Sequence, residues 1–344
     1  MGNETVVSKN DIVNTIMDTR RDFIQKMGKG AALSTLALSA PGVLAANLVS
    51  DDRPVLKPMK IGIIGAENSH TRGFGKMFNI DKKFPGMEVK YVWGETEAFA
   101  KDAMQRGGIP NMVKDPQEMI GKIDALIVDH RHGKFHLDAA RPFIKEKIPM
   151  FIDKPFCYRL EEGIEFLKMA REHGTPVTSY SSIAHSDETF DIKEQVAGMG
   201  EINQVIRSGR VGLTSEYGGV FFYGAHSIQP LMYIFGDDVK QVRITKNGAN
   251  SGANLIFGNG MLASLVFTTK KYGWQTFVET DNGIEELKSR VESNNPAKNY
   301  VDMVSMFQTG KEPRSHQSIL RGVAVLEALE KSVSSEQWED VTQV

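Results

Sequence analysis

Between residues 60 and 180, short apolar runs alternate with stretches of helical spacing, and this alternation constrains the fold more than any other feature. The first run, Lys60-Ile61-Gly62-Ile63-Ile64-Gly65-Ala66, is continuous and ends in glycine, as a strand buried on both faces of a parallel sheet requires. Met87–Trp93, Ala125–Val128, Pro149–Ile152 and Pro176–Thr178 repeat the pattern. The spacing predicts helices over Glu97–Gln105 and Phe135–Lys147, and Leu160, Ile164 and Leu167 share one face of a third. Parallel neighbours need crossovers of about a dozen residues, and these helices supply them. The expectation is an α/β domain over residues 59–180 with a doubly wound parallel sheet.

After about residue 200 the texture changes. Ile202–Ser208, Val239–Lys246, Asn254–Phe257 and Met261–Thr269 read as strands, and Gly258-Asn259-Gly260 is a hairpin turn between the last two. Fewer helices separate them, so residues 181–344 are expected to form an α+β domain with an open, mainly antiparallel sheet. Ile319, Val323 and Leu326 mark a closing helix, and no internal repeat is present. A chain of 344 residues suits two such domains. Lys plus Arg number 41 against 43 Asp plus Glu, so no basic excess is available for a nucleic-acid backbone. The single cysteine, Cys157, excludes an intrachain disulfide framework and a cysteine-rich zinc site.

Residues 1–46 resemble a twin-arginine export signal. Thr19-Arg20-Arg21-Asp22-Phe23 precedes a charge-free stretch from Gly30 to Ser50, and Val43-Leu44-Ala45 or Leu44-Ala45-Ala46 offers a cleavage site. Ser34, Thr35, Ser39, Pro41 and Gly42 interrupt the stretch, which falls short of the ~20 apolar residues of a stable span. An N-terminal helix packed on the fold is the plain alternative. The signal reading implies a periplasmic or otherwise exported protein and the twin-arginine machinery as a partner, with residues 47–58 as a linker. That route carries folded proteins, so a cofactor can travel already bound.

Four landmarks then fall in order: the strand and glycine at 60–66, Asp153-Lys154-Pro155, Gly218-Gly219 ahead of Gly224 and His226, and Phe307–Pro313 leading into Val325-Leu326-Glu327-Ala328. His136 also stands 18 residues before Lys154. Together they resemble the glucose–fructose oxidoreductase and inositol dehydrogenase family, Gfo/Idh/MocA, over about residues 59–342. The resemblance implies a Rossmann-type nucleotide domain, NAD or NADP as cofactor, a sugar or polyol derivative as substrate, hydride transfer at a CH–OH group, and a homo-oligomer.

The chain departs from the family at its cofactor loop. Where the fingerprint is G-x-G-x-x-G/A, Gly65 is followed by Ala66-Glu67-Asn68-Ser69-His70, so Glu67 and His70 replace two glycines. A carboxylate beside a diphosphate costs binding unless it points away or pairs with Arg72. Ser69 is a candidate helix cap. Glu95 is the candidate ribose acid and favours NAD, with an exposed loop carboxylate as its alternative. His132, Asp153 and Lys154 complete the implied cofactor contacts.

The catalytic set is partial as well. Lys154 matches the family lysine and His226 its histidine, but Phe222 stands four residues before His226 where an aspartate is expected. Tyr223 is an adjacent proton donor. Arg131, His136, His185, Tyr217 and Tyr223 are candidate substrate contacts, Arg131 as a fork for a carboxylate or phosphate. Tyr272 and Trp274 either stack on a sugar or fill the core of the second sheet. Two rivals remain open. A carbohydrate- or acid-binding protein on a degenerate dehydrogenase scaffold would explain Glu67, His70 and Phe222. A metal held by His130, His132 and His136 would give hydrolysis or isomerisation, although no fourth ligand is identifiable.

Overall fold

The computed structural model describes residues 56–344 except 271, 272, 282, 293 and 294. The proposed export signal, most of the linker and Tyr272 lie outside the described residues. The first strand, β1 (Met59–Ile64), is followed by α1 (Ser69–Gly75), β2 (Met87–Trp93), α2 (Glu97–Gly107), β3 (Asn111–Met112) and β4 (Ala125–Val128). Then come α3 (His136–Ala140), β5 (Met150–Ile152), α4 (Leu160–His173) and β6 (Val177–Thr178). These six strands form one parallel sheet in the order β3-β2-β1-β4-β5-β6. Ile61, Ile63, Ile64 and all of β4 are fully buried, which is why those segments carry no polar alternation. Each Ile, Leu or Val among them contributes about 2 kcal/mol of burial.

The order reverses between β1 and β4, so their C-terminal ends open a crevice where α/β folds bind ligands. Residues 65–68, 129–132 and 153–155 leave the sheet there. The crossover expected as one helix over 135–147 is broken. Only His136–Ala140 is α-helical, flanked by single 3-10 turns at Gly133–Phe135 and Arg141–Phe143. Pro142 has no N–H to continue the ladder.

The second half contains α5 (Asp187–Ala197), β7 (Gln204–Arg210), α6 (Val220–Phe235), β8 (Val239–Asn247), β9 (Asn250–Phe257), β10 (Leu262–Thr268), β11 (Thr276–Thr280) and β12 (Gly283–Leu287). It closes with α7 (Val301–Thr309), α8 (His316–Ser335) and β13 (Glu339–Asp340). The seven strands run β12-β11-β7-β10-β9-β8-β13. The sheet is mixed: β7 and β10 are parallel, and the other pairs antiparallel. Alternation reports which face is buried but not strand direction, so the sequence could not register that pair. Helix α6 packs on β7 and α8. One hydrophobic core runs from Ile64 and Val128 through Phe221 and Leu326 to Val242 and Leu255. Among the described residues no helix is long and apolar enough to cross a membrane.

Candidate active site

The loop after β1 depends on Gly65. Its φ is +103°, and a Cβ there would lie 2.6 Å from the backbone of Asp129 and His130, so only glycine fits. The next two N–H groups, of Ala66 and Glu67, donate to Glu95 Oε2 at 2.8 and 2.9 Å. Glu95 is therefore no stray surface acid. Its other oxygen, Oε1, is buried and accepts no hydrogen bond among the described residues. The helix cap expected of Ser69 is provided by Asn68, whose Oδ1 accepts from His70 N–H at 3.3 Å, and Ser69 opens the helix.

Glu67 turns toward the second half of the chain. Tyr217 donates its hydroxyl to Glu67 Oε1 at 2.7 Å and accepts from Arg131 Nη1 at 2.9 Å, while Arg131 Nη1 stands 3.6 Å from the same carboxylate. The Arg131 guanidinium stacks 4.0 Å over the Tyr217 ring. Donation to Glu67 pushes the Tyr217 phenol up to about 12. The expected pairing of Glu67 with Arg72 does not form, because Arg72 meets Asp102 at 3.4 Å. The fork of Arg131 thus already holds a carboxylate, one from its own chain.

Beneath this loop lie two buried carboxyl groups, Asp129 at the end of β4 and Asp153 at the end of β5. Thr71 Oγ sits 2.7 Å from the Gly65 carbonyl and 2.6 Å from Asp129 Oδ2. A hydroxyl has one hydrogen, and a carbonyl can only accept. Thr71 therefore donates to Gly65, and the contact with Asp129 is closed by a proton on the carboxyl. Burial drives Asp129 the same way, well above the usual carboxylate range, and the charge of Asp153 adds to it. Asn68 Nδ2 donates to Asp129 Oδ1 at 2.8 Å, completing the pair.

Asp153 goes the other way. Burial opposes its ionisation, but Lys154 Nζ at 3.4 Å and His70 Nδ1 at 3.0 Å outweigh it and hold the carboxyl well below its ordinary value. His70, Asp129 and Asp153 bring potential ligand atoms within 4.8 Å of one another. The Lys154 ammonium stands 3.4 Å from Asp153 Oδ2 and already supplies that carboxylate with a cation, and Asp129 carries a proton. These residues form a proton network.

The other wall comes from α6 and the segment after β6. The Lys154 ammonium lies 5.7 Å over the Phe222 ring, so an aromatic face stands where the family resemblance implied aspartate. His226 is buried, with Nδ1 2.7 Å from Ser181 Oγ. Burial, and then the nearby Lys154 charge, keep its imidazole neutral to well below the usual histidine range. The crevice is a cavity of about 300 Å³ whose lining brings Glu67, His70, Arg131, Lys154, Tyr223 and His226 together.

The remaining candidates go elsewhere. His136, expected at the substrate, is fully buried with its ring nitrogens 2.9 Å from the Pro155 carbonyl and 2.8 Å from that of His130. It ties the loop after β4 to the lysine loop. His132 accepts from Lys134 N–H at 3.2 Å and meets Tyr158 edge-on, and burial lowers its basicity. His130 is neutral, pushed down to about 3 by burial. These three histidines do not converge as a metal site. His185, also expected at the substrate, pairs with Asp302 at 2.7 Å and stacks on Tyr180, away from the crevice. Trp274 lies edge-on to His226. The sequence reading missed Ser181 and the pairing of Asp129 with Thr71. Position at a strand end was the available signal for Asp129, and Ser181 had none.

Residues 59–181 match the model of an oxidoreductase family, GFO_IDH_MocA, with an NAD-binding Rossmann fold. The matched residues carry the whole six-stranded parallel sheet, β1 to β6. No curated protein matches the sequence. Solved structures share the fold across both halves. Scyllo-inositol dehydrogenase from Lactobacillus casei is 15% identical with a TM-score of 0.70, covering 83% of this chain and 99% of that one. Myo-inositol dehydrogenase from the same organism, solved with NAD(H) and myo-inositol, is 14% identical with a TM-score of 0.70, covering 83% and 97%. An oxidoreductase from Agrobacterium radiobacter, solved with NAD+, L-tartaric acid and magnesium, is 14% identical with a TM-score of 0.66, covering 83% and 99%.

Proposed function

We propose that the protein is an exported, NAD-dependent dehydrogenase acting on a CH–OH carbon of a polyol or sugar derivative. One observation carries the reading: the Lys154 ammonium, held by Asp153, opens into the same crevice as the loop after β1. The residues fit a dinucleotide at its ribose end. The buried, unpartnered Oε1 of Glu95 is an acceptor for a ribose hydroxyl and a poor neighbour for a ribose phosphate, which favours NAD over NADP. Arg131 and Tyr217 hold the Glu67 carboxylate aside, which removes the objection raised by the missing glycine. The diphosphate must find other donors than Ala66 and Glu67 N–H, since Glu95 has taken both.

When bound, the nicotinamide supplies the hydride acceptor or donor. The chain's own groups address the reacting oxygen. Lys154 supplies a positive charge on one side of the crevice and His226 a neutral imidazole, while the Phe222 ring faces the ammonium at 5.7 Å. The inositol dehydrogenases that share the fold support a polyol as the substrate class. Export rests on Arg20-Arg21 and the charge-free stretch after them.

Purified protein mixed with NAD+ and a panel of inositols and hexoses should produce reduced-nicotinamide fluorescence. No signal with any member, and no dinucleotide released on denaturation, would reject the assignment. Lys154→Ala should retain the fold and lose turnover. For export, replacing Arg20-Arg21 by Lys-Lys should trap the precursor inside the cell.

A further inference from the structure

The crevice holds two imidazoles, and their surroundings give them opposite roles. We propose that His70, standing where the fingerprint has a glycine, is the catalytic base of the reaction, and that His226 is a hydrogen-bond donor to the reacting oxygen. This rests on the dehydrogenase reading above and says which group takes the proton.

Hydrogen bookkeeping fixes both tautomers. His70 Nδ1 lies 3.0 Å from Asp153 Oδ2, an ionised acceptor that also receives Lys154 and Asn68. Nδ1 must therefore carry the hydrogen, which leaves the lone pair on Nε2 of a ring that lines the crevice. At His226 the order is reversed. Ser181 Oγ already accepts from Ile183 N–H at 3.2 Å, and its own hydrogen has one acceptor among the described residues, His226 Nδ1 at 2.7 Å. Nδ1 accepts, so Nε2 of His226 bears the hydrogen and donates.

Capacity for an added proton separates the two further. A protonated His70 rests on the Asp153 carboxylate and remains 28% exposed, so its new charge is both paired and solvated. A protonated His226 would be buried, backed by a hydroxyl and repelled by Lys154. The groups facing His70 are Asp153, Asp129, Lys154, Glu67, Arg72, Arg131 and His226; Glu67 and Arg131 neutralise each other, and Arg72 is paired with Asp102. Those facing His226 are Lys154, His70, Asp153 and Tyr223.

The step balances. The substrate O–H bond breaks and its proton forms a bond to His70 Nε2. The carbinol C–H breaks, its electron pair leaves as hydride to the oxidised nicotinamide, and a C=O bond forms. His70 ends as an imidazolium on Asp153, while His226 and Lys154 keep their protons and polarise the oxygen. Such proton transfer contributes about 10² to 10⁴ in rate.

The test is nitrogen-15 NMR of full-length protein carrying ring-labelled histidine, which reads the ring nitrogen that bears the hydrogen. With eight histidines in the chain, spectra of His70→Asn and His226→Asn assign the two signals. His70 should carry its hydrogen on Nδ1 and His226 on Nε2, and Asp153→Asn should remove that fixed preference at His70. The opposite tautomer at either ring overturns the proposal, whatever the activity. On substrates that pass the fluorescence screen, His70→Asn should lower kcat about 10²-fold or more and abolish the acid limb of the pH profile, with KM little changed. His226→Asn should keep that limb at reduced kcat. A limb that survives in His70→Asn and vanishes in His226→Asn overturns the proposal. Failure of the whole panel would reject the dehydrogenase reading while the tautomers still decide which ring offers a lone pair and which a hydrogen.

Discussion

Asp129 and Asp153 end neighbouring strands, share Asn68 as a donor and are almost equally buried, yet one is neutral and the other charged. Burial acts on both alike, so it cannot be the cause of the difference. What differs is the company. Asp153 has an ammonium at 3.4 Å and an imidazole at 3.0 Å, whereas that imidazole stands 4.0 Å from Asp129, whose near partner is a threonine hydroxyl with its only hydrogen committed elsewhere and whose ionisation the Asp153 charge opposes. The lesson is that a strand end in this sheet becomes an anion only where the next residues bring a cation, as Lys154 does. The neutral partner then serves as a fixed donor that holds the loop after β1 against β4.

The largest test of this contrast is Asp153→Asn. It leaves Lys154 buried without its counter-charge and releases His70, which should cost about 3 kcal/mol in a denaturant melt and about 10²-fold or more in turnover. Because the folded value of Asp153 lies below its unfolded one, its stabilisation is present above the ordinary carboxylate range and is lost only as pH falls toward the folded value. A wild-type advantage over Asp153→Asn that did not shrink as pH falls below ~4 would contradict the assignment.

Thr71→Val is next. It removes the acceptor of the Asp129 proton and the donor to Gly65, with an expected loss of about 2 kcal/mol in the same melt. Asp129→Asn should be far milder, since the amide reproduces both a donor toward Thr71 and an acceptor for Asn68. Here the sign runs opposite to that of Asp153. A carboxyl raised above its unfolded value of about 3.9 contributes fully below that pH and loses its contribution as pH rises toward the folded value. The melting temperature of Asp129→Asn should therefore gain on wild type between pH ~4 and ~8, and a constant gap would place a charge on Asp129. The smallest effect is expected from Tyr217→Phe. It gives up one part-buried hydrogen bond to Glu67, worth about 1 kcal/mol in stability, and should weaken NAD+ binding several-fold by freeing that carboxylate.

The parallel sheet was readable because strands buried on both faces are written as unbroken apolar runs, as in β1 and β4. Helix α6 was not, since most of Val220–Phe235 is buried and it presents no polar stripe to mark a period. The parallel pairing of β7 with β10 joins segments far apart in sequence, which local patterning does not encode. At the site, Lys154, His226, Arg131, Tyr217 and Tyr223 were readable as residue types in order, and the fold gathers them around one crevice. Residue types alone could not show that His136 spends both ring nitrogens on backbone carbonyls, or that His185 belongs to Asp302. His70 was visible chiefly as a lost glycine. Its meaning depends on Asp153, 83 residues away, and only the fold supplies that contact.

The most direct test is calorimetric titration of the full-length protein with NAD+ and with NADP+, alongside Glu95→Ala. Saturable binding of NAD+, at least tenfold weaker binding of NADP+, and loss of that preference in Glu95→Ala are the predicted results. No heat from either dinucleotide at millimolar concentration would contradict the account, and with it the claim that this crevice binds NAD despite two missing glycines.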